Sequence, residues 1–232
     1  MVAITKTPSA LRNSSVATGT SPSGALTRAR GRIGVAPGVF LWRESFSPLE
    51  QKALLEDMLA RLKQAPLYRP MMPKTGKAFS AEESNFGVLG WVADKSGYRY
   101  QANHPVTGQP WPAIPDLLLC LWAEINDGPP PECCLVNFYR PGAKMGLHQD
   151  LDEKDTSAAV IAVSLGDEAL FRIGEPARGG KTLSVALLSG DVVAFGGPAR
   201  LAYHGIDRIR AGTSRLVPGG GRFSLTLRRV AR

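Results

Sequence analysis

The sequence predicts a mainly β domain of the α+β class, a sandwich or barrel with two helices packed on the outside. Three observations predict it. The 232 residues suffice for one domain with a full core, and 44% hydrophobic and 21% charged residues give a globular composition. Two segments have helical periodicity. Short β-rich runs, separated by glycine and proline turns, fill the second half of the chain.

The first 34 residues are expected to form a disordered basic arm, and the domain to span residues 35–232. The arm contains Lys6, Arg12, Arg28, Arg30 and Arg32 and no acidic residue, so it carries five of the eight net positive charges. It has no hydrophobic periodicity and cannot bury enough apolar surface to offset chain entropy. Its composition also resembles an organellar transit peptide, but glycine and proline disfavour an amphipathic helix, and we favour the solvated arm.

Composition also limits the partners and the compartment. A basic chain commonly binds nucleic acid, although charge says nothing about sequence readout or chemistry. No stretch approaches the roughly 18 uninterrupted apolar residues that a membrane-spanning helix needs, so no membrane partner is expected. The three cysteines, Cys120, Cys133 and Cys134, lack the spacing of a disulfide framework or a thiolate zinc site. We therefore expect reduced thiols and a cytoplasmic location.

The first predicted helix follows Ser47. Ser47 and Glu50 fit a capping box around a first helical proline, Pro48. The apolar stripe of this helix comprises Leu55, Met58, Leu59 and Leu62.

The second predicted helix follows Pro115 and ends before the glycine and prolines that begin at Gly128. Its apolar residues at helical spacing are Leu118, Leu121, Trp122 and Ile125. No other segment shows a clear helical pattern.

Short strands dominate from residue 133 onward. Pro-Gly, Gly-Asp, Gly-Gly and Ser-Gly pairs separate β-rich runs of five to seven residues. The predicted strands are Cys133–Tyr139, Ala159–Leu165, Ala169–Ile173, Thr182–Leu188, Asp191–Phe195 and Phe223–Arg229.

A candidate metal site is formed by His148, Asp150 and His204. Residues two apart in a strand point to one face, so His148 and Asp150 could bind one cation together. His204 supplies a third ligand of the right type. Two histidines and one carboxylate form the facial triad of non-haem Fe(II) enzymes, although zinc accepts the same ligands. The alternative is a solvated histidine in the acidic run LHQDLDEKD.

The last predicted strand carries two arginines on one face. Arg222 and Arg228 are six residues apart, while Phe223, Leu225 and Leu227 point to the other face. Guanidinium groups bind carboxylates through two parallel hydrogen bonds, so an inward-facing pair suits a dicarboxylic acid. The alternative is a solvated pair on an edge strand.

Four motifs in one order carry a family resemblance. They are NFYRPGAKMGLHQDLDE (137–153), VSLGDEALFRIG (163–174), SGDVVAFGGPARLAYHGI (189–206) and RFSLTLR (222–228). The chain resembles the AlkB family of Fe(II)- and 2-oxoglutarate-dependent dioxygenases over roughly residues 38 to 230. The resemblance implies a double-stranded β-helix, which is a cupin-like jelly roll.

The resemblance also implies residue roles. The metal ligands fall on His148, Asp150 and His204. The co-substrate contacts fall on Asn137, Tyr139, Arg222, Ser224 and Arg228, with Arg222 at the distal carboxylate of 2-oxoglutarate and Arg228 near the carboxylate that chelates iron. Ser224 stands where bacterial relatives often have Asn, and Phe195 where they often have Trp. The substrate contacts fall on Trp91, Tyr98, Tyr100, Asp152 and Arg178.

The implied activity is oxidative demethylation of N-alkylated bases such as 1-methyladenine and 3-methylcytosine in DNA or RNA. Fe(II), 2-oxoglutarate and O2 are the implied cofactor and co-substrates, and succinate, CO2 and formaldehyde the products. We expect a monomer that takes its base from a single strand or flips it from a duplex. The alternatives are a hydroxylase of another RNA, protein or small-molecule substrate, a non-catalytic metal-binding jelly roll, and a basic binding module.

Overall fold

The computed structural model describes residues 31–231, and the predicted basic arm lies outside them except for its last four residues. The strands are β1 Arg32–Ala36, β2 Val39–Trp42, β3 Glu82–Gly87, β4 Gly90–Asp94, β5 Gly97–Gln101, β6 Cys133–Tyr139, β7 Met145–His148, β8 Val160–Gly166, β9 Glu168–Ile173, β10 Leu183–Leu187, β11 Val192–Phe195, β12 His204–Arg210 and β13 Arg222–Arg228. The helices are α1 Pro48–Arg61, α2 Asp116–Ile125 and a 3-10 turn, Gly197–Ala199.

The strands form two facing antiparallel sheets, which confirms the predicted jelly roll. The major sheet has the order β1-β2-β11-β8-β13-β6-β3, and the minor sheet has the order β10-β9-β12-β7. Strands β4 and β5 form a separate hairpin. An apolar core between the sheets includes Val160, Phe171 and Val193, and the cavity described below opens beside it.

The pleat of the major sheet separates two environments. In β13, Phe223, Leu225 and Leu227 join the core that packs against both helices. Residues of the opposite parity, Arg222 and Arg228 among them, line the cavity. This confirms the predicted alternation, because one strand buries apolar side chains on one face and presents polar side chains on the other.

Helix α1 begins as predicted. The Ser47 hydroxyl accepts from the Glu50 backbone N–H at 3.3 Å, and the Glu50 carboxylate accepts from the Ser47 N–H at 2.8 Å. The predicted stripe is wrong at Leu59, which is 40% exposed. Leu54 is buried in its place, because the sheet covers a face rotated by about one residue from the one the spacing predicted.

Two further sequence expectations need correction. Strand β1 begins at Arg32 and pairs with β2, so the domain begins before the predicted boundary at residue 34. The strand has only five residues with a glycine at its centre, so its apolar pattern is too short to predict a strand from the sequence. Strands β3, β7 and β12 were not predicted as strands, because polar residues and glycine interrupt their apolar pattern. Among residues 31–231, no helix has the length and apolar character needed to cross a membrane.

The packing of α1 yields a prediction. Leu54→Ala should lower the free energy of unfolding by about 2–5 kcal/mol, because it leaves a cavity between the helix and the sheet. Leu59→Ala, on the exposed face of the same helix, should cost less than about 1 kcal/mol. Urea denaturation of both variants measures the difference, and equal losses would contradict the burial described for this helix.

Candidate metal centre and cavity

Strand pairing brings the two histidines together. His148 is the last residue of β7 and His204 the first of β12, and the two are directly paired in the antiparallel ladder. Their ring centroids lie 4.5 Å apart. A contact between residues 56 positions apart in the chain is thus fixed by one backbone register.

Asp150 completes the cluster from a loop. Its carboxylate oxygens lie 3.7 Å from His148 Nε2 and 3.8 Å from His204 Nε2. The three residues form the one metal-binding cluster of this kind found among residues 31–231. The sequence reasoning placed His148 and Asp150 on one strand face, and that reason is wrong because β7 ends at His148. The loop turns the carboxylate back towards the imidazoles.

Both histidines present Nε2 to this cluster. His148 Nδ1 lies 3.0 Å from the Gly146 carbonyl oxygen, and His204 Nδ1 lies 3.0 Å from the Ala202 carbonyl oxygen. A carbonyl can only accept, so each Nδ1 carries a proton, and Nε2 is the nitrogen through which each ring can bind a metal. Burial lowers the pKa of His204 to about 4, although the Asp150 charge opposes the shift. His204 is therefore neutral at physiological pH, as a metal ligand must be.

The cluster fits Fe(II). Asp150 is 5% exposed, and its Oδ2 atom has no hydrogen-bond partner among the described residues. A buried carboxylate oxygen in that state is satisfied by a cation. Two imidazoles and one carboxylate on one side of a metal leave its other positions open to co-substrates.

A buried ionic network holds Asp150 in place. Arg228 donates to Asp150 Oδ1 at 2.9 Å, and Arg200 donates to the Asp150 backbone carbonyl at 3.2 Å. Glu153 lies between the two arginines, 3.2 Å from Arg200 and 3.6 Å from Arg228. Burial alone would raise the pKa of Asp150, but Arg228 and the two histidines lower it to about 2.

A cavity of about 630 Å³ extends from the metal cluster along the inner face of the major sheet. Directly paired residues of four adjacent strands form one row across this face. The row consists of Glu83, Asn137, Ser224 and Ser164. Glu83, Asn137 and Ser224 are among the cavity-lining residues, together with Tyr139 and Arg222.

Arg222 provides a binding site for an anion. Its side chain is 1% exposed and donates to Ser164 Oγ at 2.9 Å and, at 3.5 Å, to Ser224 Oγ. Its Nε and Nη1 atoms have no partner among the described residues, and the Tyr139 ring lies 5.6 Å from its Cζ atom. Burial lowers the pKa of Arg222 to about 10, so it still carries its charge at neutral pH. An unpaired buried cation is the partner that a dicarboxylate requires.

The β4–β5 hairpin supplies an aromatic wall. Trp91 and Tyr98 stack with ring centroids 5.5 Å apart and an interplanar angle of 16°. Trp91 Nε1 donates to Asp152 Oδ2 at 2.7 Å, and Asn85 bonds the Trp91 backbone on both its N–H and its carbonyl. Trp91, Tyr98 and Asp152 all border the cavity.

Two expected substrate residues lie elsewhere. The Tyr100 hydroxyl donates to Glu153 and accepts from Arg228, so Tyr100 supports the network behind Asp150 and is not among the residues that line the cavity. Arg178 is exposed in the connection between β9 and β10 and is also not part of that wall. Arg228 lines the cavity and donates to Asp150, so its charge lies beside the metal cluster.

Sequence reasoning missed Glu83, Glu153 and Arg200. All three are buried charged side chains, and two of them support a metal ligand. The acidic run around Asp150 offered one signal for Glu153. No local pattern marked Arg200 or Glu83, because their partners are brought near only by the fold.

Comparison with known proteins agrees with this geometry. The family model described as the 2OG-Fe(II) oxygenase superfamily matches residues 38–228. The chain is 52% identical over 199 residues to the alpha-ketoglutarate-dependent dioxygenase AlkB homolog of Caulobacter vibrioides, covering 84% of this chain and 89% of that protein.

The chain belongs to the AlkB family. It is 40% identical over 202 residues to AlkB of Escherichia coli, covering 85% of this chain and 92% of that one. The solved structure of OsALKBH1 superimposes with a TM-score of 0.74 at 30% identity, covering 85% of this chain and 99% of that chain.

Membership in this family makes the chain an Fe(II)- and 2-oxoglutarate-dependent dioxygenase that uses O2. When bound, iron and the two co-substrates supply the oxidising power for hydroxylating a C–H bond. This chain's own residues would hold the metal at His148, Asp150 and His204. Arg222 would hold the distal carboxylate of 2-oxoglutarate.

The close packing of β7 on β12 leads to a prediction about metal affinity, because the two strands carry the two histidines. A Cβ atom at Gly205 would lie 2.5 Å from the Met145 carbonyl oxygen and 2.8 Å from that of Gly146. Gly205→Ala should therefore separate the strands, displace His148 from His204 and weaken Mn(II) binding by about tenfold or more. A Cβ at Gly146 meets nothing within 4 Å, so Gly146→Ala is the matched control. Calorimetric titration with Mn(II) measures both, and equal affinities would contradict the register argument.

The guanidinium group of Arg222 leads to a prediction about the affinity for 2-oxoglutarate. Arg222→Ala should weaken 2-oxoglutarate binding by about 2–5 kcal/mol, since the carboxylate loses its buried partner. Arg210→Ala, which removes an exposed pair with Glu168, should leave it within about twofold. Titration of the Mn(II)-loaded proteins gives both values. Unchanged affinity in Arg222→Ala would place the co-substrate elsewhere.

Proposed function

We propose that this dioxygenase removes N-alkyl groups from bases of DNA or RNA by oxidative dealkylation. One observation carries the proposal: the stacked pair Trp91 and Tyr98 borders the same cavity as the metal cluster and Arg222. A flat aromatic wall beside an oxidising centre suits a planar heterocycle, because base–aromatic stacking replaces the stacking lost on extrusion.

Asp152 acts in this proposal mainly through Trp91. Its carboxylate is exposed and accepts a hydrogen bond from the indole N–H of Trp91. This hydrogen bond fixes the orientation of the indole ring at the cavity wall. Its charge also lies at the cavity wall and favours a base made cationic by alkylation.

The mouth of the cavity fits a nucleic-acid strand. Lys77 and Lys144 are exposed there. The Lys144 backbone N–H donates to Ser80 Oγ at 3.1 Å, which joins the loop of Lys144 to the segment that carries Lys77. Exposed Leu147 and Leu151 flank the metal cluster along the same mouth. Lysines contact phosphates without reading sequence, and apolar side chains contact base faces. Arg178 is exposed outside the cavity wall, and we assign it to a neighbouring phosphate of a longer strand.

The nucleotide must leave its stack to enter. An N-alkyl group on the pairing edge is enclosed in a duplex, so the substrate is a single strand or a flipped base. We also propose that the enzyme works as a monomer in the cytoplasm, where its three free thiols stay reduced.

The test is succinate and formaldehyde release with Fe(II), 2-oxoglutarate and O2. Oligonucleotides containing 1-methyladenine or 3-methylcytosine should stimulate both, and the same strands without the methyl group should not. Single-stranded and duplex DNA and RNA are compared in parallel. If the protein is a metal-binding jelly roll without activity, or a hydroxylase of another substrate, none of these oligonucleotides should release formaldehyde.

The Trp91–Asp152 contact makes a further prediction. Trp91→Ala should lower kcat/KM on methylated oligonucleotides by about tenfold or more, the loss of one stacking partner. Asp152→Asn keeps an acceptor for the indole N–H and should retain more activity than Asp152→Ala. Steady-state kinetics on one single-stranded substrate ranks the variants. Equal losses in the two Asp152 variants would mean that the charge matters and the indole contact does not.

A further inference from the structure

The carboxyl of Glu83 is a feature that the metal cluster and the co-substrate site leave unused. Glu83 is 0% exposed to solvent, yet it lines the cavity. Neither of its carboxyl oxygens has a hydrogen-bond partner among residues 31–231. Burying an unpartnered carboxyl costs free energy, and a ligand that donates a hydrogen bond recovers it.

The strand register fixes where this carboxyl lies. Glu83 is paired directly with Asn137 of β6, whose side-chain oxygen is also without a partner among the described residues. Two residues further along the same face of β3, Asn85 holds the backbone of Trp91. Glu83 therefore lies on the cavity floor at the β3 end of the row that it forms with Asn137, Ser224 and Ser164, next to the residue that holds the aromatic wall.

The other acids along this cavity already have partners. Asp150 is bonded to Arg228, and Asp152 accepts from the indole of Trp91. Burial raises the pKa of Glu83 to about 8, and the charge of Arg228 opposes the shift only in part. A bound cation beside Glu83 would favour its ionised form.

We infer that Glu83 is a specificity-determining residue, which accepts a hydrogen bond from the exocyclic amino group of a cationic alkylated base. This inference rests on the proposed base dealkylation and assigns the selection of the base to one buried carboxyl. Methylation of cytosine at N3 gives a cation with an amino group at C4. Methylation of thymine at N3 leaves a neutral base with a carbonyl oxygen at C4, which cannot donate.

These two bases form the comparison for the experiment, since both are six-membered rings methylated at N3; they differ in the group at C4 and in the C5 methyl of thymine, and the same pair is compared in every variant. The readout is the ratio of kcat/KM on 3-methylcytosine to that on 3-methylthymine, in otherwise identical single-stranded oligonucleotides. Glu83→Gln keeps shape and an acceptor oxygen but removes the charge, and should lower the ratio by about tenfold. Glu83→Leu also removes the acceptor and should lower it further.

Glu82→Gln is the control. Glu82 is the preceding residue on the opposite strand face, where it pairs with Arg69 and Arg140 at the surface. Its variant should keep the wild-type ratio. Thermal unfolding of each variant monitors folding. If Glu83→Gln does not fold, the base-preference ratio of Glu83→Leu decides whether Glu83 selects the base. Glu83→Leu is expected to fold, because the substitution removes a buried polar group that lacks a partner.

The outcomes separate this inference from the proposed function. An equal fall on both bases would make Glu83 a structural residue of the cavity and overturn the inference. An unchanged ratio in Glu83→Leu would overturn it as well. A wild-type enzyme that demethylates neither base would contradict the proposed function, and the role of Glu83 would fall with it.

Discussion

The ion pair between Arg228 and Asp150 joins the two sheets at the metal centre. Arg228 ends β13, an interior strand of the major sheet, while Asp150 lies in the loop after β7 of the minor sheet. The pair is buried, so its net contribution to stability is small and breaking one half costs about 3–5 kcal/mol. Its consequence is positional. It holds a metal-binding carboxylate at the one point where both sheets meet the cavity, and Glu153 and Arg200 hold it from behind.

The pleat of β13 explains how one strand serves both the core and the chemistry. Phe223, Leu225 and Leu227 pack towards the helices, so the register of β13 cannot slip without exposing them. The same register places Arg222 beside Tyr139 and Ser224 beside Asn137. Hydrophobic burial on one face thus fixes the positions of polar groups on the other, at no cost to the core.

Sequence periodicity predicted the parts of this molecule that depend on local pattern. It located both helices and six strands, because apolar spacing and capping residues are local signals. It also placed Arg222 and Arg228 on one face. Strands β7 and β12 were missed, although they carry histidines of the metal cluster, since MGLH and HGIDRIR have weak alternation. Their neighbours in the minor sheet, β12 for β7 and β9 for β12, are what hold them as strands. Glu83 and Arg200 were missed for a related reason: a buried charge is recognisable only through the partners that tertiary structure gives it.

Three groups of polar atoms that folding leaves without partners lie along the cavity. Asp150 Oδ2 lies at the metal cluster, Arg222 Nη1 at the co-substrate end, and the Glu83 carboxyl on the floor between Asn137 and the aromatic wall. Each costs free energy in the unliganded protein, and each has the charge or polarity opposite to that of one ligand: a cation, a dicarboxylate and a cationic base. Binding recovers this cost, so each ligand stabilises the folded state, by an amount that grows with the logarithm of its concentration relative to its Kd. The cavity is therefore pre-organised for binding because its polar groups are held rigidly by the sheet and are satisfied only when ligands enter.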